Sequence, residues 1–130
     1  MRSQEEHEIQ KSIIEWARYM QTPICLLFAI PNGGERPLAP VKNKHGEWIK
    51  VPLAAKRLKA EGVLAGVPDL FLPLAAGGFH GLFIEVKSLK GVLSPAQKYM
   101  TEQLAQQGYA VRVVRSVYEG INAIREYSGQ

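Results

Sequence analysis

Cysteine is almost missing from this chain of 130 residues: Cys25 is the single one, and only three histidines accompany it. A lone thiol excludes an intramolecular disulfide framework. With His7, His45 and His80 scattered along the chain, zinc-ligand spacing is excluded as well. Cys25 lies inside the apolar run Ile24-Cys25-Leu26-Leu27-Phe28, where it reads as a small core residue suited to a reducing compartment. Long hydrophobic runs are also missing, for nothing approaches the ~20 residues of a membrane span. The opening Met1-Arg2-Ser3-Gln4-Glu5-Glu6 is polar and acidic, unlike a signal peptide, so a cytoplasmic location without membrane contact is expected. No GxSxG or P-loop pattern, repeat or low-complexity tract is present.

What is there has the balance of a folded domain. Hydrophobic residues make up 46% and charged residues 22% of the chain. At this length one domain over residues 1–130 is expected, burying roughly two-thirds of the surface exposed on unfolding. The formal charge is +4, from 16 basic and 12 acidic side chains, and residues 35 to 61 carry all of the excess. There Arg36, Lys42, Lys44, Lys50, Lys56, Arg57 and Lys59 face only Glu35, Glu47 and Glu61. Such a segment attracts a polyanion through phosphate contacts and counterion release; a solubilising surface would look the same by charge alone.

Periodicity predicts a helix over residues 5 to 20, with Ile9, Ile13, Trp16 and Ala17 at helical spacing and Pro23 past its end. Residues 24 to 30 read as a buried strand closed by Pro31-Asn32-Gly33-Gly34. A short helix is expected from Pro52 to Glu61. Asp69 to Leu74 and Leu82 to Lys87 read as strands joined by a glycine-rich loop, with Pro73 ending the first. Ser94-Pro95-Ala96-Gln97 supplies an N-cap, a first-turn proline and a glutamine at the third position, and Gly108 a stop, so a helix spans 95 to 107. A strand from Tyr109 to Val114 and a helix from Val117 to Tyr127 close the order.

Asp69 is the only aspartate, and it opens an otherwise apolar strand directly after Gly66-Val67-Pro68. Glu85 interrupts a second apolar strand, and Lys87 follows two residues on. Strand alternation puts Glu85 and Lys87 on one face about 7 Å apart, opposite Leu82, Ile84 and Val86. If the two strands pair, Asp69 and Glu85 converge into the oxygen-rich site that Mg²⁺ prefers. Lys87 beside it could orient the attacking water or neutralise developing charge. The bland alternative is a water-facing Glu-Lys pair and a turn-capping aspartate.

Gly66-Val67-Pro68-Asp69, Phe83-Ile84-Glu85-Val86-Lys87, Gly91-x-Leu93-Ser94-x-x-Gln97 and Gly108-Tyr109 together resemble the virus-type replication-repair nuclease (VRR-NUC) branch of the PD-(D/E)XK nucleases. The resemblance runs from the Glu6-x-x-x-Gln10 helix through Pro31-Asn32-Gly33-Gly34 to the C-terminal helix. It implies an α/β fold with the restriction-endonuclease-like core α-β-β-β-α-β, a mixed central sheet flanked by helices. It also implies Asp69 and Glu85 as ligands of Mg²⁺ or Mn²⁺, the Val86 carbonyl as a third, and Lys87 as the catalytic lysine. Family members add a glutamate from the first helix. Glu6 fits, lying on the face of Ile9 and Ile13, although Glu5 and Glu8 stand close and a carboxylate at a helix start also suits the dipole. Gln97 can be a capping residue or a site residue, and the resemblance favours the site.

The expected activity is metal-dependent hydrolysis of DNA phosphodiesters, with residues 36 to 59 on the backbone. A chain this short leaves no room for a targeting domain, so DNA shape rather than sequence would be recognised. Stand-alone members of the family resemble Holliday-junction resolvases and act as dimers. This implies a homodimeric, bacteriophage-type enzyme of DNA repair, working on junctions or branched DNA in the cytoplasm of a bacterial host. The rivals are a non-catalytic DNA-binding module and a subunit that needs a partner protein.

Overall fold

The computed structural model describes residues 3–31, 38–52 and 55–130. Along them run α1 (Gln4–Arg18), a 3-10 turn (Ile24–Leu26), β1 (Phe28–Ala29), β2 (Leu38–Lys42), β3 (Trp48–Pro52) and α2 (Ala55–Ala60). Then follow β4 (Leu70–Leu72), β5 (Leu82–Val86), α3 (Pro95–Gln106), β6 (Ala110–Val114) and α4 (Val117–Ser128). The sheet order is β1-β4-β5-β6, with β2 and β3 pairing as a separate ribbon. β4 is antiparallel to β1 and β5, and β5 is parallel to β6. A parallel pair needs a crossover, and α3 supplies it. The expected α-β-β-β-α-β order is thus present as α1-β1-β4-β5-α3-β6.

One face of the sheet makes the core. Leu70, Leu72, Leu82, Ile84, Val86 and Val114 pack there with Ile9, Ile13 and Ala17 of α1 and Ala123 and Ile124 of α4. α1 and α4 touch closely: a Cβ at Gly120 would stand 2.4 Å from Ile13 Cδ1, so glycine sets the helix separation. The Ser3 hydroxyl accepts the Glu6 amide at the start of α1, and Ser116 does the same for Glu119 at the start of α4. The Tyr127 hydroxyl donates to the Leu74 carbonyl, and burial pushes its phenol pKa up. On the opposite face Phe71 packs against Phe83 with ring centroids 4.5 Å apart and planes tilted by 42°, and Tyr109 meets Phe83 edge-on at 5.4 Å. Among the described residues no helix is long and apolar enough to cross a membrane.

Two expectations are corrected. The apolar run 24 to 30 is not one strand but a 3-10 turn followed by the two-residue β1. The Arg18 guanidinium donates to the carbonyls of Cys25 and Leu27, at 3.0 and 2.6 Å, and takes acceptors that a neighbouring strand would have used. Ile24 and Leu27 are buried at a spacing of three, while Cys25 is half-buried beside the Thr22 hydroxyl rather than in the core. The second correction concerns Pro52, which ends β3 opposite Leu38 instead of opening a helix; α2 begins at Ala55. The ribbon escaped the sequence reading because Pro40 stands inside β2 and lysines interrupt the apolar alternation. Its turn is made by Asn43, whose Oδ1 accepts the His45 and Glu47 amides, and by Gly46 at φ 80°.

Candidate active site

Gly66 begins the site. Its φ of +88° is a conformation that side chains rarely adopt, and a Cβ there would lie 2.4 Å from the Ala96 carbonyl oxygen. Only glycine lets this loop press against the first turn of α3, which brings Asp69 and Gln97 into one neighbourhood. β4 then pairs Leu70 with Ile84, so Asp69 stands abreast of Glu85, one step before the ladder begins. The Asp69 Oδ2 accepts the Val86 amide at 2.8 Å, taking the place that a backbone carbonyl would fill if β4 continued. The aspartate therefore does cap a strand end, and the same bond fixes its carboxylate beside β5.

Asp69 and Glu85 are 5% and 3% exposed, a placement that costs a carboxylate dearly unless it is paired or binds a cation. Glu85 Oε1 lies 3.9 Å from Lys87 Nζ, and the Lys87 side chain is itself only 12% exposed. The Lys87 amide donates to the Val114 carbonyl, continuing the pairing with β6 and holding the residue in extended backbone. Both faces of β5 are thus covered, rather than one lying open to water.

Gln97 makes a helix cap and also reaches Glu85. Its Oε1 accepts the Ser94 amide at 2.8 Å and the Ser94 hydroxyl accepts the Gln97 amide, a complete capping box. Its Nε2 donates to Glu85 Oε1 at 2.7 Å. The two partners orient the amide without ambiguity.

Glu6 is buried on the inward face of α1, while Glu5 and Glu8 are exposed. Its Oε2 accepts the Ser88 amide at 3.0 Å, just past Lys87. Among the described residues no three His, Cys, Asp or Glu side chains stand together as a metal-holding group. The structure therefore brings Asp69, Glu85, Lys87 and Gln97 together about the backbone of Val86, and sets Glu6 at the next turn of chain.

Arg115 is the residue that sequence reasoning missed. From the end of β6 its Nη1 donates to the carbonyls of Ser88 and Gly91 at 2.7 and 2.6 Å. Glu6 holds the amide side of this turn and Arg115 its carbonyl side, so the backbone leaving Lys87 is fastened twice. The only signal in the sequence was a cation ending an apolar strand. Of the basic segment, Lys42, Lys44, Lys50 and Lys59 are exposed. Arg36 and the side chains of Lys56 and Arg57 lie outside the described residues, as do positions 32–34.

Residues 4–118 match the family model of the VRR-NUC domain. A solved structure described as a VRR_NUC domain protein superposes with a TM-score of 0.73 at 27% sequence identity, over 95% of this chain and 88% of that one. A comparison with curated proteins found no match.

Proposed function

The chain belongs to the VRR-NUC domain family, a nuclease-type domain, and from that premise we propose that it is a divalent-metal-dependent DNA endonuclease acting on branched DNA. The observation that carries this reading is the pair of buried carboxylates on adjacent strands, Asp69 and Glu85, with the Lys87 ammonium 3.9 Å from Glu85 Oε1.

The donor chemistry fits Mg²⁺ or Mn²⁺: two carboxylates and the Val86 carbonyl are hard oxygen donors, and Mg²⁺ sites commonly use one or two carboxylates, leaving the rest of the shell to water and substrate phosphate. Asp69, Glu85 and the Val86 carbonyl would hold the ion, with Glu6 the further acidic residue that the family resemblance offers. When bound, it supplies activation of water and stabilisation of charge on the phosphoryl group. The protein's part is positioning. The Val86 amide fixes Asp69, and the Gln97 amide fixes Glu85. Lys87 presents an ammonium to the water and to the negative charge that gathers on the phosphoryl oxygens as the new P–O bond forms and the old one breaks. The Ser88 to Gly91 turn, held by Glu6 and Arg115, keeps the Lys87 backbone from swinging away.

The exposed lysines of residues 42 to 59 would grip the phosphodiester backbone. A homodimer places two such sites on two strands, as junction cleavage requires, and the family resemblance supports a phage-type, PD-(D/E)XK enzyme of DNA repair in a bacterial cytoplasm. Cleavage of labelled four-way junction, splayed and linear duplex DNA, with Mg²⁺, Mn²⁺ or EDTA, tests the reading beside Asp69→Asn. Junction-selective cutting that needs the ion and is absent from the variant is expected. Cutting that persists in EDTA would overturn the metal requirement, and no cutting by the unaltered protein would overturn the enzyme.

A further inference from the structure

The ribbon β2–β3 presents a surface that catalysis does not use. Its register sets Lys42 opposite Trp48 and Pro40 opposite Lys50, and strand alternation gathers these four on one face. All four are exposed, Trp48 at 69%. Lys42 Nζ lies 5.7 Å from the centroid of the Trp48 ring, and Lys50 is two residues along the same strand, about 7 Å away. An indole left in water on a two-stranded ribbon adds little to stability, which directs attention to a partner.

The chemistry of that partner follows from what surrounds the ring. Lys42, Lys44 and Lys50 stand against Glu47 alone in this part of the chain. A second copy of the same face would bring like charge to like charge, so self-association is disfavoured. A polyanion with flat π surfaces fits both features: lysines for phosphates, indole for bases. In a continuous duplex the base faces are already stacked on one another, whereas an unpaired base offers its face to an aromatic side chain.

We propose that Trp48 is a stacking platform for an unpaired base of the DNA substrate, with Lys42 and Lys50 holding the phosphates on either side of it. This goes beyond the nuclease reading and rests on it, for it names the element that distinguishes splayed or single-stranded regions of a branched substrate from duplex. A sequence-tolerant stack also suits an enzyme that recognises shape.

The test is equilibrium binding in EDTA, where nothing is cut, of a splayed DNA and a fully paired duplex of equal length. Trp48→Ala should weaken binding of the splayed DNA by roughly 5- to 100-fold, the effect of losing one base stack, and leave the duplex unchanged. Trp48→Phe should recover most of the affinity, and the quenching of indole emission on adding splayed DNA should vanish in it. Unaltered affinity for splayed DNA, or an equal loss on both DNAs, would overturn the platform while leaving the nuclease reading intact. In a Trp16→Phe background, an emission change of Trp48 that tracks protein concentration without DNA would overturn it in favour of self-association through this face. Failure of the unaltered protein to bind either DNA at low salt would bring down both.

Discussion

The end of β5 and the β2–β3 ribbon are built on opposite plans. Around Asp69, Glu85 and Lys87 the charged side chains are nearly buried, and their positions are set by the Val86 and Gln97 amides and by the Val114 carbonyl that accepts the Lys87 amide. On the ribbon, Lys42, Trp48 and Lys50 stand in water on strands that pair only with each other among the described residues. The first region devotes its hydrogen bonds to holding a geometry, as chemistry at a fixed phosphorus requires. The second keeps its side chains available, as binding to a long polymer requires. On the proposed reading, turnover and capture would fall to different parts of the chain.

That division can be broken most forcefully at Lys87. Lys87→Ala is expected to keep the fold and the bound metal while kcat falls about 100- to 1,000-fold, the size of effect seen when one charge-stabilising donor is removed. Turnover at the unaltered rate, measured on saturating junction DNA, would remove Lys87 from the mechanism, and a comparable loss of DNA affinity would blur the two regions. Gln97 tests the middle ground. Gln97→Ala should cost about 1–2 kcal/mol in chemical denaturation, from half of a capping box and a buried carboxylate's partner, and also lower kcat about tenfold. Stability loss with an intact kcat would reduce Gln97 to a cap. The smallest effect is expected from neutralising Lys56, Arg57 and Lys59 together. The slope of log affinity against log salt should flatten by about 0.9 for each phosphate that these side chains no longer neutralise, with kcat at saturation unaltered. An unchanged slope would take these three out of the interface.

The legible parts of the molecule were those whose determinants are local or incongruous. α3 was readable because serine, proline, glutamine and glycine mark its two ends in sequence. Asp69 and Glu85 stood out because a charge inside an apolar strand is costly without a purpose. The 24 to 30 segment was misread because an unbroken apolar run fits a 3-10 turn as well as a strand. What decided it was Arg18, a side chain on α1 reaching back to its carbonyls. Arg115 was invisible for the same reason: its partners are backbone carbonyls more than twenty residues away, which carry no residue type to read.

Gln97 has a dynamic consequence. Helix starts are where α-helices open most readily, and local opening of this kind is ordinarily harmless to distant chemistry. Here the amide that closes the first turn of α3 is the amide that steadies Glu85, so one fluctuation undoes both. The helix end acts as an interlock: whenever it frays, Glu85 loses the donor that steadies it, and on the proposed reading hydrolysis would slow for as long as the first turn is open.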